Sequence, residues 1–210
     1  VDFRYKSTRY LSLLAYLSAF EYRSMPVDVS WTVFRNDDNF RPNPAIREGD
    51  AAVFKAGIAY NNRRKSPIFR NDWVASFIYE RGFREFPYNG FSIAIKRYQK
   101  TILGRQAFVA RGLLGARENT DEQLLYDLGG ISTLRATDAS DASGRQLRFN
   151  IDYLFRGDVI SKLSNRLGQF VELVVFADAG WVTQVSKQAN ILDGFDTLRA
   201  DDIKTNVGGA

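Results

Sequence analysis

Three ionisable residues stand out as candidates for chemistry: Arg135 in the Gly-rich stretch LGGISTLRATD, residues 128–138, and two aspartates further along, Asp152 and Asp178. An arginine presents a planar fork of donors, and a carboxylate in a low-dielectric surrounding can accept two of them. These residue types favour a structural latch, that is, an ion pair that pins a loop, and they do not favour covalent chemistry.

The missing residue types exclude several kinds of catalytic and metal site. The chain has no histidine and no cysteine, so Ser-His-Asp, Cys-His and His-based zinc sites are impossible. Pairs of Asp and Glu can carry glycosidase chemistry. However, no phosphate loop, nucleophile elbow or metal-ligand spacing accompanies them. We therefore expect no enzyme, no catalytic residue, no metal and no cofactor.

Charge and composition narrow the class of protein. The net charge is +5 and the pI is near 9.4, but apart from residues 63–65 the basic residues form no tract, so we expect no nucleic-acid partner. Aromatic residues make up 14% of the chain, which is typical of an all-β protein. No stretch reaches the ~18 consecutive apolar residues of a spanning helix. Any membrane crossing would therefore use a β-barrel.

Alternation of apolar and polar residues predicts about nine strands and no convincing helix. The predicted strands are residues 9–23, 27–34, 51–62, 73–80, 91–98, 106–114, 145–155, 171–182 and 202–210. Neighbouring strands are joined in sequence, and short links alternate approximately with long polar loops. The pattern predicts an antiparallel up-and-down sheet over residues 1–210, with one long loop at 116–146.

The two faces of these predicted strands differ in polarity. We expect one face to be apolar and free of charge, with aromatic rings of which several lie near strand ends, at Trp31, Tyr60, Trp73, Tyr79, Tyr153 and Trp181. The other face collects Asp28, Lys55, Glu80, Lys96, Arg111, Arg148, Asp152, Arg156, Glu172 and Asp178. Periodicity alone also fits a soluble sandwich. A continuous wall of mixed charge and interfacial rings favours a membrane barrel with a polar lumen.

Two stretches resemble motifs of the BamA/TamA-type outer-membrane assembly proteins, the bacterial surface antigen family. LGGISTLRATD, with Gly129, Gly130 and Arg135, is similar to their sixth-loop motif, which reads Gly-Gly, a few residues, an aliphatic residue, Arg, Gly and an aromatic. Phe176, Asp178 and Gly180 match their Phe-x-Asp-x-Gly strand motif, and residues 151–153 resemble the acidic strand between the two. Ala136 and Thr137 stand where the family has glycine and an aromatic. The resemblance covers residues 129–180; over residues 9–116 it rests on strand pattern alone.

The resemblance implies the carboxyl-terminal segment of a transmembrane β-barrel in the bacterial outer membrane, incomplete at about nine strands. The protein would insert or export polypeptides, with the lipid bilayer, unfolded outer-membrane or secreted polypeptides and periplasmic accessory proteins as partners. The loop would fold inward, and Arg135 would bind Asp178 or Asp152 as the latch, supported by Gly129, Gly130, Phe176 and Gly180. A passive porin-like diffusion channel and a soluble all-β binding module are the alternatives.

Overall fold

The computed structural model describes residues 1–24, 46–63, 71–101, 106–128, 134, 141–155, 173–183 and 185–209, and nearly all of its regular structure is β-strand. The strands are β1 Asp2–Lys6, β2 Leu11–Tyr22, β3 Gly49–Asn61, β4 Asp72–Arg84, β5 Asn89–Lys100, β6 Ala107–Glu118, β7 Tyr126–Leu128, β8 Asp141–Ser143, β9 Arg145–Phe155, β10 Leu173–Thr183 and β11 Lys204–Gly209. Three short 3₁₀ helices span Glu122–Leu124, Phe195–Thr197 and Ala200–Asp202. Over these ranges, no helix is both long enough and apolar enough to span a bilayer.

Nine strands form a single antiparallel sheet in the order β1-β2-β3-β4-β5-β6-β9-β10-β11. Each strand pairs with its neighbour in the chain, except that β7 and β8 form a separate two-stranded sheet between β6 and β9. This confirms the predicted all-β, up-and-down arrangement. In the described part of the chain, β1 and β11 are the two edges of the sheet.

Most predicted strands are confirmed, with three differences. β4 continues to Arg84, whereas a turn was predicted after Glu80, because Gly82 and Phe83 still pair with β3. β1 was missed because five residues are too few for a clear period, and β7 and β8 were missed inside the long loop. The predicted strand at 27–34 lies outside the described residues, and β2 pairs directly with β3.

The register places the apolar positions of successive strands on one surface. Leu13 is paired with Ile58, Ile58 with Phe77, and Phe77 with Ile93. We call this surface the apolar face, and its large side chains are mostly exposed. The exposed members are Phe3, Tyr5, Leu13, Leu17, Phe54, Ile58, Tyr60, Trp73, Phe77, Phe83, Ile93, Ile95, Phe108, Phe149, Leu173, Val175 and Val207.

The expectation that the apolar face is free of charge is wrong toward the strand ends, as two arginines show. Arg97 is paired with Trp73, and Arg81 with Phe54, so both arginines share that face. Both lie toward strand ends. The Arg97 guanidinium stacks 4.7 Å from the Trp73 ring centroid, and aromatic contact lets an arginine lie along an apolar surface with its charge at the margin.

The opposite surface, which we call the charged face, is the buried one. Glu80, Asp152 and Asp178 are each no more than 5% exposed. Over one end of it lies a cluster of buried apolar side chains from β3, the β4–β5 turn and the long loop. Its members are Ala51, Val53, Phe86, Tyr88 and Leu124. Burial is thus inverted relative to a soluble sandwich, in which apolar faces are covered and charged faces meet water.

Trp181 departs from the interfacial position expected for it. It is paired with Leu147 on the apolar face but is only 2% exposed. The ring of Phe195 lies 5.9 Å away, centroid to centroid. The segment after β10 therefore covers this end of the apolar face.

Candidate functional site

The motif residues of β9 and β10 lie together on the charged face. Phe176 is paired with Asp152, and Asp178 with Asn150, so both predicted latch aspartates face the same side. Asn150 Nδ2 donates a hydrogen bond to Asp178 Oδ1 at 2.9 Å. Asp152 forms an ion pair with Arg111 of the neighbouring strand β6. One of the two aspartates is thus held by a cation of the sheet itself.

Gly180 is the point at which the long loop meets this wall. A Cβ atom at position 180 would lie 2.6 Å from Leu128 Cδ1 and 3.1 Å from Leu134 Cδ1. Both leucines are fully buried. Glycine is therefore needed here for close approach, as a glycine inside a strand often is. Arg135, Gly129 and Gly130 lie outside the described residues, so the predicted latch itself stays a prediction.

A second contact between loop and wall is centred on Arg117 of β6. Its Nε donates to Glu80 Oε1 at 2.5 Å, and Lys55 Nζ lies 3.1 Å from the other carboxylate oxygen of Glu80. Arg117 Nη1 donates to the backbone oxygen of Leu124 in the loop. A charge-assisted network of this kind is stronger than neutral hydrogen bonds, so an arginine of the wall holds the loop.

Tyr126 packs over the same arginine. Its ring centroid is 4.2 Å from the Arg117 guanidinium carbon, and a Cβ at Gly115 would lie 2.8 Å from Tyr126 Cζ. Burial is the largest cause that raises the pKa of Tyr126 to about 12, with Arg117 acting in the opposite direction. Burial also raises the pKa of Tyr88. Both phenols are therefore neutral at physiological pH.

Arg145 ties together the segments at this end of the sheet. Its side chain is fully buried, and Nε donates to the backbone oxygen of Asp193 at 2.9 Å while Nη2 donates to that of Asn190 at 2.6 Å. Nη1 donates to the backbone oxygen of Arg117. Burying this cation against carbonyl groups fixes the segment after β10 to the start of β9.

Sequence reasoning missed Arg117 and Arg145 as site residues. The predicted strand ended at Leu114, although Arg117 continues the two-residue period of Arg111, and that period was the available signal. Arg145 was assigned to a strand end without a partner, because its acceptors are backbone oxygens that no side-chain motif reveals.

The contacts of this site hold the long loop in place against the sheet. Its described groups are arginines, carboxylates and phenols joined in fixed pairs, and no cluster of three potential metal ligands occurs in the described ranges. Comparisons with protein-family models and with curated proteins gave no match for this chain.

Proposed function

We propose that this chain is a segment of a bacterial outer-membrane β-barrel belonging to a factor that inserts or exports polypeptides. The main support for a membrane location is that the apolar face is exposed and the charged face is buried. Large apolar side chains are exposed along one face, while Glu80, Asp152 and Asp178 are buried on the other. Lipid is the surrounding that makes such a distribution stable, because an apolar outer face and a polar inner face are what a membrane barrel requires.

The length of the strands also supports a location in a lipid bilayer. Seven strands of the sheet have 11 to 13 residues, and a tilted strand needs about 9 to 11 to cross a bilayer. Rings gather near one set of strand ends, at Tyr60, Trp73, Phe108 and Tyr153 on the apolar face. Phe108 and Tyr153 pack edge to face with their centroids 4.6 Å apart. Such rings favour the level of the lipid headgroups.

Labelling with single cysteines tests the membrane proposal, and the native chain contains no cysteine to interfere. Ile95 and Ala94 are adjacent on β5 and face opposite sides. In vesicles, we expect Ala94→Cys to react with a charged, water-soluble maleimide and Ile95→Cys to react only after detergent is added. Fast labelling of Ile95→Cys in a detergent-free soluble protein would instead establish the soluble binding module.

The latch is proposed between Arg135 and Asp178 rather than Asp152. Leu134 precedes Arg135 in the sequence and lies against Gly180, which is two residues from Asp178 and lies farther along the sheet from Asp152, the partner of Phe176. We expect Arg135→Glu to lower the yield of folded barrel and Asp178→Arg to restore it in the double variant. Asp152→Arg is the matched control and should not restore it. If neither exchange restores folding, the latch is not an ion pair of Arg135 with these aspartates.

The assembly or export role follows from the resemblance over residues 129–180 and is tested in cells. Depletion of the full-length protein is expected to lower the levels of other outer-membrane barrel proteins or of a secreted polypeptide. The passive channel is the second candidate, favoured by the mixed charges that Lys55, Glu80, Arg111 and Asp152 place on the charged face. Ion conductance in planar bilayers, with unchanged protein levels after depletion, would establish the channel instead.

A further inference from the structure

An arginine and a tryptophan form a stacked pair on the apolar face, near one end of the strands. Arg97 of β5 and Trp73 of β4 are direct cross-strand partners, and the Arg97 guanidinium carbon lies 4.7 Å from the centroid of the Trp73 ring. Arg97 Nη2 donates to Gln99 Oε1 at 2.5 Å. We propose that this pair binds the phosphate of an anionic lipid, an inference that rests on the membrane location proposed above.

The pair lies at a level that suits a lipid headgroup. Trp73 and Phe83 share the apolar face of β4 and are ten residues apart, which is about 33 Å along a strand. A strand tilted by about 40° places the two rings about 25 Å apart across the membrane, the height of the apolar band of a membrane barrel. Arg81 lies over Phe83, 5.6 Å from its ring centroid, as Arg97 lies over Trp73. Both arginines are thus at the borders of this band, where the headgroups lie.

Arg97 keeps hydrogen-bond donors for a ligand. None of the ion pairs between described residues includes it, and its cross-strand neighbours, Trp73 and Ala110, are uncharged. A guanidinium has five N–H donors, and the described bond to the neutral amide of Gln99 uses one of the two terminal nitrogens. Stacking on the ring holds the guanidinium plane and leaves its edges open. Such an edge matches the oxygens of a phosphate.

A second arginine lies over a ring at the same end of the sheet. The Arg9 guanidinium carbon is 5.4 Å from the centroid of the Tyr10 ring, and that ring lies 6.2 Å from the ring of Tyr60. Tyr60 is paired with Ala75, two residues from Trp73, so these rings belong to the same border. Positive charge beside rings is thus repeated along this border, as a row of anionic headgroups would require.

The two ends of the apolar face differ in their acidic residues. Asp50 and Glu21 are cross-strand partners at the end where β2 stops. They form ion pairs with Arg84, 3.1 Å away, and with Arg23, 2.8 Å away. At the end that contains Arg97, the described positions of the apolar face hold no carboxylate. An anionic headgroup would supply the negative charge that this end of the face lacks.

Quenching of Trp73 by brominated lipid tests the proposal, in a chain whose other tryptophans, Trp31 and Trp181, are replaced by Phe. The chain is inserted into phosphatidylcholine vesicles in which a small, fixed fraction of the lipid is brominated, either as phosphatidylglycerol or as phosphatidylcholine. We expect about a fivefold preference of the site for phosphatidylglycerol, the factor that one arginine gives at an anionic lipid surface. Arg97→Gln should lower this ratio to about one.

Lys6→Gln is the matched control. Lys6 is exposed at the same end of the sheet but is paired with Ser12 on the charged side, so its loss should leave the preference unchanged. Quenching by brominated phosphatidylcholine shows that each variant is inserted. Inorganic phosphate at constant ionic strength should not reduce the preference.

Three results would overturn the proposal while leaving the membrane location intact. They are equal quenching by the two lipids in the native chain, a preference that survives Arg97→Gln, and a preference that inorganic phosphate abolishes, since the site would then bind phosphate from solution. Absence of quenching by either lipid would instead contradict the membrane location itself, and this proposal with it.

Discussion

At the scale of residues, two strand glycines differ in how much space surrounds them, and therefore in whether another residue can replace them. A Cβ at Gly180 would lie 2.6 Å from a leucine of the long loop, whereas a Cβ at Gly112 would meet nothing within 4 Å. Both lie inside strands, and neither has a left-handed backbone. Gly180 is therefore required by the close packing of the loop and not by its backbone conformation. Gly112 is the matched control for substitutions at Gly180.

We expect Gly180→Ala to lower the free energy of unfolding by about 1 to 3 kcal/mol, since the new methyl group overpacks against Leu128. Gly112→Ala should be neutral or stabilising by up to about 1 kcal/mol, because alanine loses less conformational freedom in a strand than glycine. Urea unfolding in detergent measures both. Equal effects of the two substitutions would show that the loop does not pack on Gly180.

Tyr126 gives a prediction about pH. Its pKa is raised from 10.0 to about 12 in the folded chain, so between these values the unfolded chain loses a proton that the folded chain retains. The stability that Tyr126 contributes is fully present below pH 10 and is lost as pH rises toward 12. The midpoint of urea unfolding should therefore fall more steeply over this range in the native chain than in Tyr126→Phe. Parallel curves would mean that the phenol is not buried.

At the scale of elements, the alternation of apolar and polar residues predicted most strands, but it did not predict the contacts that hold the long loop against the sheet. Period two is visible wherever a strand has one apolar and one polar face, as in β3 and β9. At the end of β6 the apolar half of the period stops at Ala116, although the strand continues through Arg117 and Glu118. Leu124, Leu128 and Leu134 are buried without any regular spacing. Their contacts depend on the tertiary fold, so the sequence motifs pointed to Gly180, Asp152 and Asp178 of the wall but not to the leucines that pack against it.

Arg117 is predicted to control the docking of the loop. Arg117→Gln removes the charge-assisted bonds to Glu80 and to the Leu124 carbonyl and leaves Lys55 as the cation that contacts the buried Glu80 carboxylate, so we expect a cost of about 1.5 to 3 kcal/mol. We expect faster proteolysis within residues 119–128, located by mass spectrometry of the fragments.

Lys55→Gln is the control for this experiment. Lys55 also contacts Glu80, but its side chain is 40% exposed and it makes no bond to the loop among the described contacts. The loop should stay protected in this variant. Equal cleavage of the two variants would assign the effect to Glu80 and not to the docking of the loop.

At the scale of the whole molecule, the sheet has one largely exposed apolar face and one buried charged face, and segments at one end of the strands cover part of each. The β4–β5 turn and the long loop pack on the charged face through Phe86 and Leu124, and the segment after β10 covers Trp181 on the apolar face through Phe195. At the opposite ends of the strands, rings such as Trp73 and Phe108 are exposed. The burial of side chains thus differs between the two ends of the strands as well as between the two faces of the sheet.

The fluorescence of two tryptophans can test whether the exposed apolar face contacts lipid in a bilayer. Trp73 is 44% exposed on the apolar face, and Trp181 is 2% exposed beneath Phe195. With Trp31 replaced by Phe, a further Trp181→Phe or Trp73→Phe substitution leaves a single tryptophan to observe. In vesicles of brominated lipid, Trp73 should lose most of its fluorescence and Trp181 little, because contact with the acyl chains brings bromine to the exposed ring. If both are quenched equally, or if Trp73 is quenched by aqueous acrylamide and not by brominated lipid, the apolar face does not contact lipid.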